Sequence, residues 1–365
     1  MGDTDDLAAL TRDLVSIPSH DDERAAGDRI EAWLREAVDA TVERDAHGNV
    51  LARRGPADAP TLALVGHHDV VPPADDQTTP TGEYVVTERD GRLYGRGTAD
   101  MKGALAAMLL AFRDAEPACE LAFASFVGEE TGGRGARGAI DDGFVPDYAV
   151  VAEGSTNYSG EDVTDVAVAH RGRRGSTITA RGTAAHASEP DAGENAVYRA
   201  CDAVDLVRDL EFPETSVLGH AMRGSVAVTG VEGGSAWNVV PERCEVTVDE
   251  RTVPGERAPL DRVESLPGVS WTVDQDLPPM ACDDRAFADA ALAAATAAQS
   301  ATPAHVVKPH ATDAGWLAGA GTTCVVCGPA EPGEAHTDGE SVSLAVLARC
   351  RGIYRELAER GPRGT

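Results

Sequence analysis

The sequence predicts an α/β fold in which a larger α/β domain is interrupted by a smaller α+β domain. Near both ends of the chain, short apolar strands alternate with helices, which is typical of a sheet covered by helices on both faces. From about residue 165, strands instead alternate apolar and polar residues, as antiparallel strands with one buried face do. The 365 residues are enough for two domains. We therefore predict an α/β domain over 1–164 and 278–365 and an inserted domain over 165–277.

The first part of the chain predicts a helix over residues 5–40, followed by buried strands. Apolar residues recur at helical spacing within residues 5–40, on both sides of the break "SIPSHDD". A further helix is predicted in "MKGALAAMLLAFRDA". The predicted strands are "GNVLAR", "TLALVGH", "LAFASFVGEE" and "YAVVAEG".

The middle of the chain predicts an antiparallel sheet with two helices on one face. Its alternating strands are "STITARG", "SVAVTGVEGG" and "CEVTVDERTV", and one helix is expected near 193–210. The α/β pattern then returns with an alanine-rich helix at 285–299, the apolar strand "TTCVVCGP" and a last helix at 341–359. An insertion into one α/β domain explains this order.

The composition predicts a strongly acidic surface. The formal charge is -29, from 61 acidic and 32 basic residues, and only two of the basic residues are lysines. The acids are spread along the chain, so we interpret them as an adaptation to a high-salt, halophilic cytoplasm in which counterions screen repulsion. Nucleic acid and anionic membranes are disfavoured as partners because both require a basic face. The short basic run "HRGRRG" (170–175) is expected to be solvated or ion-paired.

The sequence also predicts a cytoplasmic location. The start "MGDTDDLAAL" lacks the pattern of a secretory signal, and no apolar segment has the ~18 residues that a membrane span needs. The seven widely spaced cysteines are expected to be free thiols. Cys324 and Cys327 form a CxxC pair, but without a second pair we favour core packing over a zinc site.

The first candidate site residues are His67 and Asp69 in "GHHDVVP". Because they are two residues apart, both side chains point to the same side of an extended strand. One can bind a metal ion while the other orients the first, as is common for metal-binding histidines. Taken alone, a His-x-Asp pair is more often a loop or capping feature.

Three further acids follow the same logic. Asp100 lies in "GRGTADMKG", ahead of a helix, where a helix cap and a metal ligand are equally consistent with its position. Glu129 and Glu130 in "FVGEETGG" follow an apolar strand, and adjacent buried carboxylates repel each other unless cations neutralise them. Exposure to solvent is the alternative for this pair.

Glu153 in "VVAEGS" follows another apolar strand, and His336 lies in the polar loop "GPAEPGEAHTDGES". Each has an ordinary structural alternative. All of the candidate residues, however, lie at the ends of α/β elements, where open sheets place their active sites. The set therefore predicts one shared functional site.

These segments resemble the dinuclear zinc amidohydrolases and peptidases that include succinyl-diaminopimelate desuccinylase, acetylornithine deacetylase, aminoacylase and glutamate carboxypeptidase. The matching segments occur in the family's order over nearly the whole chain: "GHHDVVP", "GRGTADMKG", "GEETGG", "VAEGS", "GTAAHASEPDAGENA", "NVVPERCEVTVDER" and "EAHTDGE". The resemblance implies a mixed-sheet catalytic domain with an inserted lid and dimerisation domain. It also implies a homodimer joined through that domain.

The resemblance assigns the metal ligands. It implies that Asp100 bridges two Zn²⁺ ions per subunit, for which Co²⁺ or Mn²⁺ could substitute. His67 and Glu153 would complete one metal site. Glu130 and His336 would complete the other.

The resemblance also assigns residues that act on the substrate. Glu129 would be the general base, and Asp69 would orient the metal-binding histidine of its strand. His186 in "AAHAS" is similar to the family's oxyanion-stabilising histidine. Asn238 and Arg251 are similar to groups that hold a substrate carboxylate.

The implied activity is hydrolysis of the amide bond of an N-acyl amino acid, of the desuccinylase or deacetylase type. A dipeptidase or carboxypeptidase activity, with a dipeptide substrate, is the alternative within the family, and a catalytically silent ligand-binding relative is the alternative outside enzymes. The sequence departs from the family at His68, where relatives often have a small or hydroxyl residue. It also lacks the proline-containing turn found after the acid of "VAEGS" in many relatives, which leaves the subfamily open.

Overall fold

Residues 3–363 are described by a computed structural model. Their helices are α1 (Asp3–Val15), α2 (Arg24–Ala37), α3 (Gly103–Asp114), α4 (Arg134–Asp141), α5 (Ala196–Arg208), α6 (Arg285–Ala297), α7 (Ala314–Gly319) and α8 (Leu344–Arg360). Their strands in the first half are β1 (Thr41–Arg44), β2 (Val50–Arg54), β3 (Thr61–His67), β4 (Thr87–Arg89), β5 (Arg92–Tyr94), β6 (Glu120–Phe126), β7 (Tyr148–Val151), β8 (Val166–His170) and β9 (Gly172–Arg181). The later strands are β10 (Glu214–Val217), β11 (His220–Arg223), β12 (Ser225–Gly233), β13 (Arg243–Thr252), β14 (Val269–Leu277), β15 (Met280–Ala281), β16 (His305–Lys308), β17 (Thr323–Val326) and β18 (Ser341–Ser343).

The chain folds into two compact units. The larger unit contains residues 1–170, 280–308 and 312–365, and the smaller contains 171–279 and 309–311. The smaller unit thus begins at Arg171, later than the predicted boundary at 165. The reason is β8, which pairs with β15, β16 and β17 in the sheet of the larger unit.

The larger unit is built on a nine-stranded mixed sheet. Its strand order is β1-β2-β6-β3-β7-β17-β8-β15, with β16 also paired to β8. The central strands β6, β3, β7 and β17 run parallel to their neighbours in this group. These strands are buried nearly throughout, which explains their continuous apolar sequences.

Helix α3 provides much of the core of the larger unit. Residues 103–112 of this helix are all buried, because its sequence is apolar or small on every side. Cys324 and Cys327 are buried free thiols at β17, as the sequence predicts. None of the helices within residues 3–363 is long and apolar enough to cross a membrane.

The smaller unit contains an antiparallel sheet of order β12-β13-β9-β14. Helix α5 packs its buried alanines against this sheet, together with the buried side chains of Leu260 and Val263. These two residues belong to a short 3-10 helix (Leu260–Ser265), which takes the place of the second predicted helix. The basic run is ion-paired here, since Arg173 and Arg174 contact Asp249 and Glu250.

Candidate metal centre

The centre lies where three neighbouring parallel strands end. His67 is the last residue of β3, Glu130 follows β6, and Glu153 follows β7. Because β3 pairs in parallel with both β6 and β7, their carboxyl ends lie at one edge of the sheet. Open α/β sheets place their ligands at this edge.

Two more residues reach the centre from turns outside the sheet. Asp100 lies in an irregular turn (98–102) that leads into α3, with φ -126° and ψ 94°, and its peptide bond to Met101 is cis. His336 lies in the loop before β18 with a left-handed φ of 64°.

The five side chains form two clusters that share Asp100. In the first, His67 Nε2 lies 3.0 Å from Asp100 Oδ1 and 3.4 Å from Glu153 Oε1. In the second, His336 Nε2 lies 3.2 Å from Asp100 Oδ2 and 2.9 Å from Glu130 Oε1. Within each cluster the nitrogen and oxygen atoms lie within 4.8 Å of one another. Asp100 therefore presents one carboxylate oxygen to each cluster.

The buried carboxylate of Asp69 contacts His67 and the backbone of Glu129 and Glu130. The Nδ1 atom of His67 lies 3.0 Å from the backbone oxygen of Asp69 and 3.4 Å from its Oδ1. A proton on Nδ1 satisfies this contact and leaves Nε2 free to bind a metal ion. The Asp69 carboxylate also accepts the backbone N–H groups of Glu129 (3.1 Å) and Glu130 (3.0 Å). The side chain of Asp69 thus positions candidate ligands at the ends of two strands.

The charged groups of the centre strongly shift one another's pKa values. Hydrogen bonds to Asp100 and Glu130 raise the pKa of His336 to about 10. Burial alone would lower the pKa of His67, but its hydrogen bonds to nearby carboxylates outweigh burial and raise it. Burial alone would raise the pKa of Asp100, but the two histidines outweigh it and lower this pKa. A cation entering the centre therefore competes with protons for the imidazoles.

Glu129 differs from its neighbour because neither cluster includes it. Burial raises the pKa of Glu129 well above its usual value, and the nearby carboxylates of Asp313 and Glu153 raise it further. A carboxylate whose pKa is raised is a stronger base than an ordinary carboxylate, which suits a residue that accepts a proton during catalysis.

His68 is separate from the two clusters. Its side chain is buried, its Nδ1 lies 2.9 Å from Ser125 Oγ, and its backbone N–H donates to Phe126 O. Burial lowers the pKa of His68 to about 3. This histidine is therefore a neutral packing residue on the sheet, which removes the ambiguity created by the adjacent histidines in the sequence.

The structure adds charged residues that the sequence analysis missed. Lys308, at the end of β16, lies 3.6 Å from Glu153 Oε2 and donates to Gly154 O. The other lysine, Lys102, is fully buried and donates to Ile17 O. Asp313 is buried, and neither of its carboxylate oxygens has a hydrogen-bond partner within residues 3–363. The sequence offered a signal only for Lys102, which lies two residues after Asp100 in a site segment, since no site segment adjoins Lys308 or Asp313.

The remaining predicted site residues belong to the smaller unit. His186 is exposed, its Nδ1 lies 2.6 Å from Ser188 Oγ, and its backbone bridges to Val239. Asn238 is exposed, and its backbone oxygen accepts the N–H of the residue after His186. Arg251, on β13, donates from Nε to Asp249 Oδ1 at 2.7 Å. His186 and Asn238 are thus neighbours within this unit, whereas the guanidinium of Arg251 is held by an acid of its own strand.

The donor set fits a pair of divalent cations. Imidazole nitrogens and carboxylate oxygens are the ligands that Zn²⁺ uses in catalytic sites, and Co²⁺ and Mn²⁺ accept them as well. A carboxylate with one oxygen in each cluster matches the bridging ligand of a two-metal site. Five closely spaced ligands without a cation would leave carboxylates facing each other, which is unfavourable.

Comparison with known proteins gives consistent matches. The sequence profile of peptidase family M20/M25/M40 matches residues 63–360. The succinyl-diaminopimelate desuccinylase of Bordetella petrii is 29% identical over an alignment of 384 positions, which covers 97% of this chain and 97% of that protein. The acetylornithine deacetylase of Myxococcus xanthus is 31% identical over 318 residues, which cover 80% of this chain and 78% of that protein.

Solved structures match over almost the entire chain. The aminopeptidase PepT from Bacillus cereus has a TM-score of 0.79 at 19% identity and covers 98% of both chains. The YXEP protein of Bacillus subtilis, a dinuclear metal binding peptidase from the M20 family, has a TM-score of 0.72 at 17% identity. That match covers 98% of this chain and 97% of the other.

Proposed function

The chain belongs to peptidase family M20/M25/M40, and from this membership we propose that it is a two-zinc hydrolase of the amide bond in N-acyl amino acids. The observation that carries the proposal is the pair of ligand clusters sharing Asp100, with Glu129 beside them. The matched desuccinylase and deacetylase support an acylated amino acid as substrate. The matched aminopeptidase structure supports peptide hydrolysis as the second candidate.

Each residue has a defined role in this proposal. His67 and Glu153 would hold one zinc ion, Glu130 and His336 would hold the other, and Asp100 would belong to both sites. When bound, the two cations would acidify a water molecule and polarise the amide carbonyl group.

Glu129 accepts the proton of the attacking water and delivers it to the leaving nitrogen, which departs as an amine. Asp69 keeps Nε2 of His67 available and fixes the backbone of the Glu129–Glu130 turn. Asn238 and Arg251 are proposed to hold the carboxylate of the amino-acid part of the substrate. Because Asp249 engages Arg251, substrate must compete with that ion pair.

A hydrolysis screen tests the proposal. The metal-reconstituted protein would be assayed in molar potassium chloride with N-succinyl-diaminopimelate, N-acetylornithine, N-acetyl-lysine and simple dipeptides. Turnover of one N-acyl amino acid class, abolished by a chelator and restored by zinc, would support it. Two bound zinc ions with no turnover of any substrate would contradict it and favour a silent ligand-binding relative.

We also propose a homodimer joined through the smaller unit. Strand β12 is an edge strand of its sheet, and edge strands pair readily with a second copy across a twofold axis. Large apolar side chains of the smaller unit are exposed, including Tyr198 on α5 and Val231 on β12, at 70% and 61% exposure.

All seven cysteines are free, which supports a reducing, cytoplasmic location.

His186→Ala is expected to reduce turnover while leaving metal content unchanged. We propose that this histidine stabilises the developing oxyanion in the site of the partner subunit, and one such donor is typically worth ~10²–10³ in kcat. Kinetics and elemental analysis of the same sample check this. Ser188→Ala is a suitable control, because it removes only the hydroxyl group near His186 Nδ1.

Subunit mixing tests whether His186 acts in trans. Mixed dimers of His186→Ala and Glu129→Ala chains should regain activity, because one of their two sites then combines an intact Glu129 with an intact partner histidine. If subunits demonstrably exchange without any recovery, His186 does not act across the interface.

The melting temperature is expected to rise with salt. At a net charge of -29 the folded chain repels itself, and salt shortens the Debye length from about 10 Å at 0.1 M to about 3 Å at 1 M. Thermal melts of the metal-loaded protein from 0.1 to 2 M potassium chloride measure the effect, with sodium chloride as the control for ionic strength. A flat or falling melting temperature would contradict the halophilic interpretation.

A further inference from the structure

Glu340 connects two parts of the candidate metal centre. It follows His336 by four residues, in the same loop before β18, and its side chain reaches the turn that carries Asp100. Both Glu340 and Arg96 are almost completely buried, at 1% and 3% exposure. Burying these charged groups is unfavourable unless they are paired and hydrogen-bonded.

The Glu340 carboxylate is fully engaged. Its Oε1 accepts the backbone N–H groups of Ala99 (3.0 Å) and Asp100 (3.1 Å), and its Oε2 accepts Arg96 Nη1 at 2.6 Å. Its backbone oxygen also accepts the N–H of Gly95 at 3.1 Å. Glu340, in the His336 loop, therefore accepts hydrogen bonds from the start, the middle and the end of the segment 95–100.

Neither ligand connected by Glu340 is held by regular structure. The backbone of Asp100 departs from helical angles, so the N–H groups at this turn need an acceptor from elsewhere. His336 lies in a loop, and its side chain is 50% exposed. By contrast, His67 is fixed by a buried strand. The turn and the loop consequently depend on contacts between them.

We propose that Glu340, clamped by Arg96, is a positioning residue that sets the distance between the bridging Asp100 and the ligand His336. The inference rests on the proposed metal centre. Glu340 contacts neither substrate nor metal in this proposal. Its carboxylate affects only the geometry of the ligands, and loss of such supporting contacts typically weakens metal binding 10- to 100-fold.

A nearby ion pair provides a matched control. Arg92 also joins β5 to the segment before β18, through Glu331 (3.0 Å) and Glu334 (2.7 Å). These contacts link the same two stretches of chain without touching the backbone of Asp100. If linking the two stretches were all that mattered, Arg92→Met and Arg96→Met would have similar effects.

The test compares metal binding by Glu340→Gln, Arg96→Met and Arg92→Met. In Glu340→Gln the side-chain amide cannot accept the Ala99 and Asp100 N–H groups and also accept from Arg96, because one of its two ends is a donor. Zinc and cobalt affinities would be measured by chelator competition on apo protein that gel filtration and circular dichroism show to be folded. The visible spectrum of the cobalt-loaded protein reports ligand geometry independently of activity.

Glu340→Gln and Arg96→Met should bind metal at least tenfold more weakly, with an altered cobalt spectrum, while Arg92→Met stays within about twofold of the unaltered protein. If Glu340→Gln does not fold, Arg96→Met decides. Unchanged affinity in folded Glu340→Gln or in Arg96→Met, or equal loss in Arg92→Met, would overturn the inference. An unaltered chain that binds no pair of metal ions would instead overturn the proposed function itself.

Discussion

Asp100→Ala should empty both metal sites and abolish hydrolysis. Asp100 gives one oxygen to each ligand cluster, so its removal takes a ligand from both sites at once. The substitution would also remove a negative charge that, with both sites filled, would offset the repulsion between the two cations. Most of the acceleration, at least ~10⁶-fold in typical enzymes, should be lost with the metals. Elemental analysis after dialysis and the rate on the best substrate measure the two effects.

Single-cluster variants provide the comparison for Asp100. Glu153→Ala and Glu130→Ala each remove a ligand from one cluster only, so each should weaken the binding of one metal ion more than that of the other. The apo proteins should remain folded, as judged by circular dichroism. Retention of one tightly bound zinc ion in Asp100→Ala would show that this residue is not shared.

Glu129→Ala should have the opposite signature, with both metal ions retained and turnover reduced ~10²–10⁴-fold. The reason is that Glu129 lies outside both clusters, and its backbone, held by Asp69, is unchanged by the substitution. Glu129→Gln preserves shape and should be similarly slow, because an amide cannot accept the proton. Zinc content and kcat measured on one preparation separate the base from the ligands.

The adjacent residue sharpens this prediction. Glu130→Gln makes the same chemical change one residue further along the chain, but in a side chain that belongs to the cluster with His336. Its loss of activity should therefore be accompanied by loss of metal. Near-normal turnover in Glu129→Ala, or loss of both zinc ions from it, would rule out the base assignment.

The sequence predicts the centre well where regular strands position it. His67, Glu130 and Glu153 could be grouped in advance because buried parallel strands bring their carboxyl ends to one edge. The α/β fold with its antiparallel insertion is confirmed, since burial patterns with period two and continuous apolar runs distinguish the two sheets. The individual roles of the site residues stay predictions.

Short elements were not predictable, because their pairing is decided by distant residues. The sheet of β18, β5 and β4 joins residues 87–94 to Ser341–Ser343, a segment that the sequence analysis assigned to the last helix. That helix begins at Leu344 because Ser343 caps it, accepting the N–H of Val346. Helices α4 and α7 have only eight and six residues, too few for a clear periodic signal.

The buried charges were missed for a different reason. Asp313 and Lys308 carry no local pattern, and only the three-dimensional structure shows their burial beside the carboxylates of the candidate metal centre. The Glu340 contacts likewise join residues more than 200 positions apart in the chain. The periodicity of apolar residues cannot predict such pairs, because it indicates only which faces of helices and strands are buried.

The burial of Lys102 and Lys308 leaves the folded surface without an ε-amino group, since these are the only two lysines in the chain. Acetyl and ubiquitin transferases that modify lysine therefore have no accessible acceptor on the native protein. Amine-reactive dyes and crosslinkers are restricted in the same way, because both ε-amino groups are buried in the folded chain. Acylation of either lysine therefore requires local opening of the larger unit. The rate of lysine acylation consequently measures how often this unit opens.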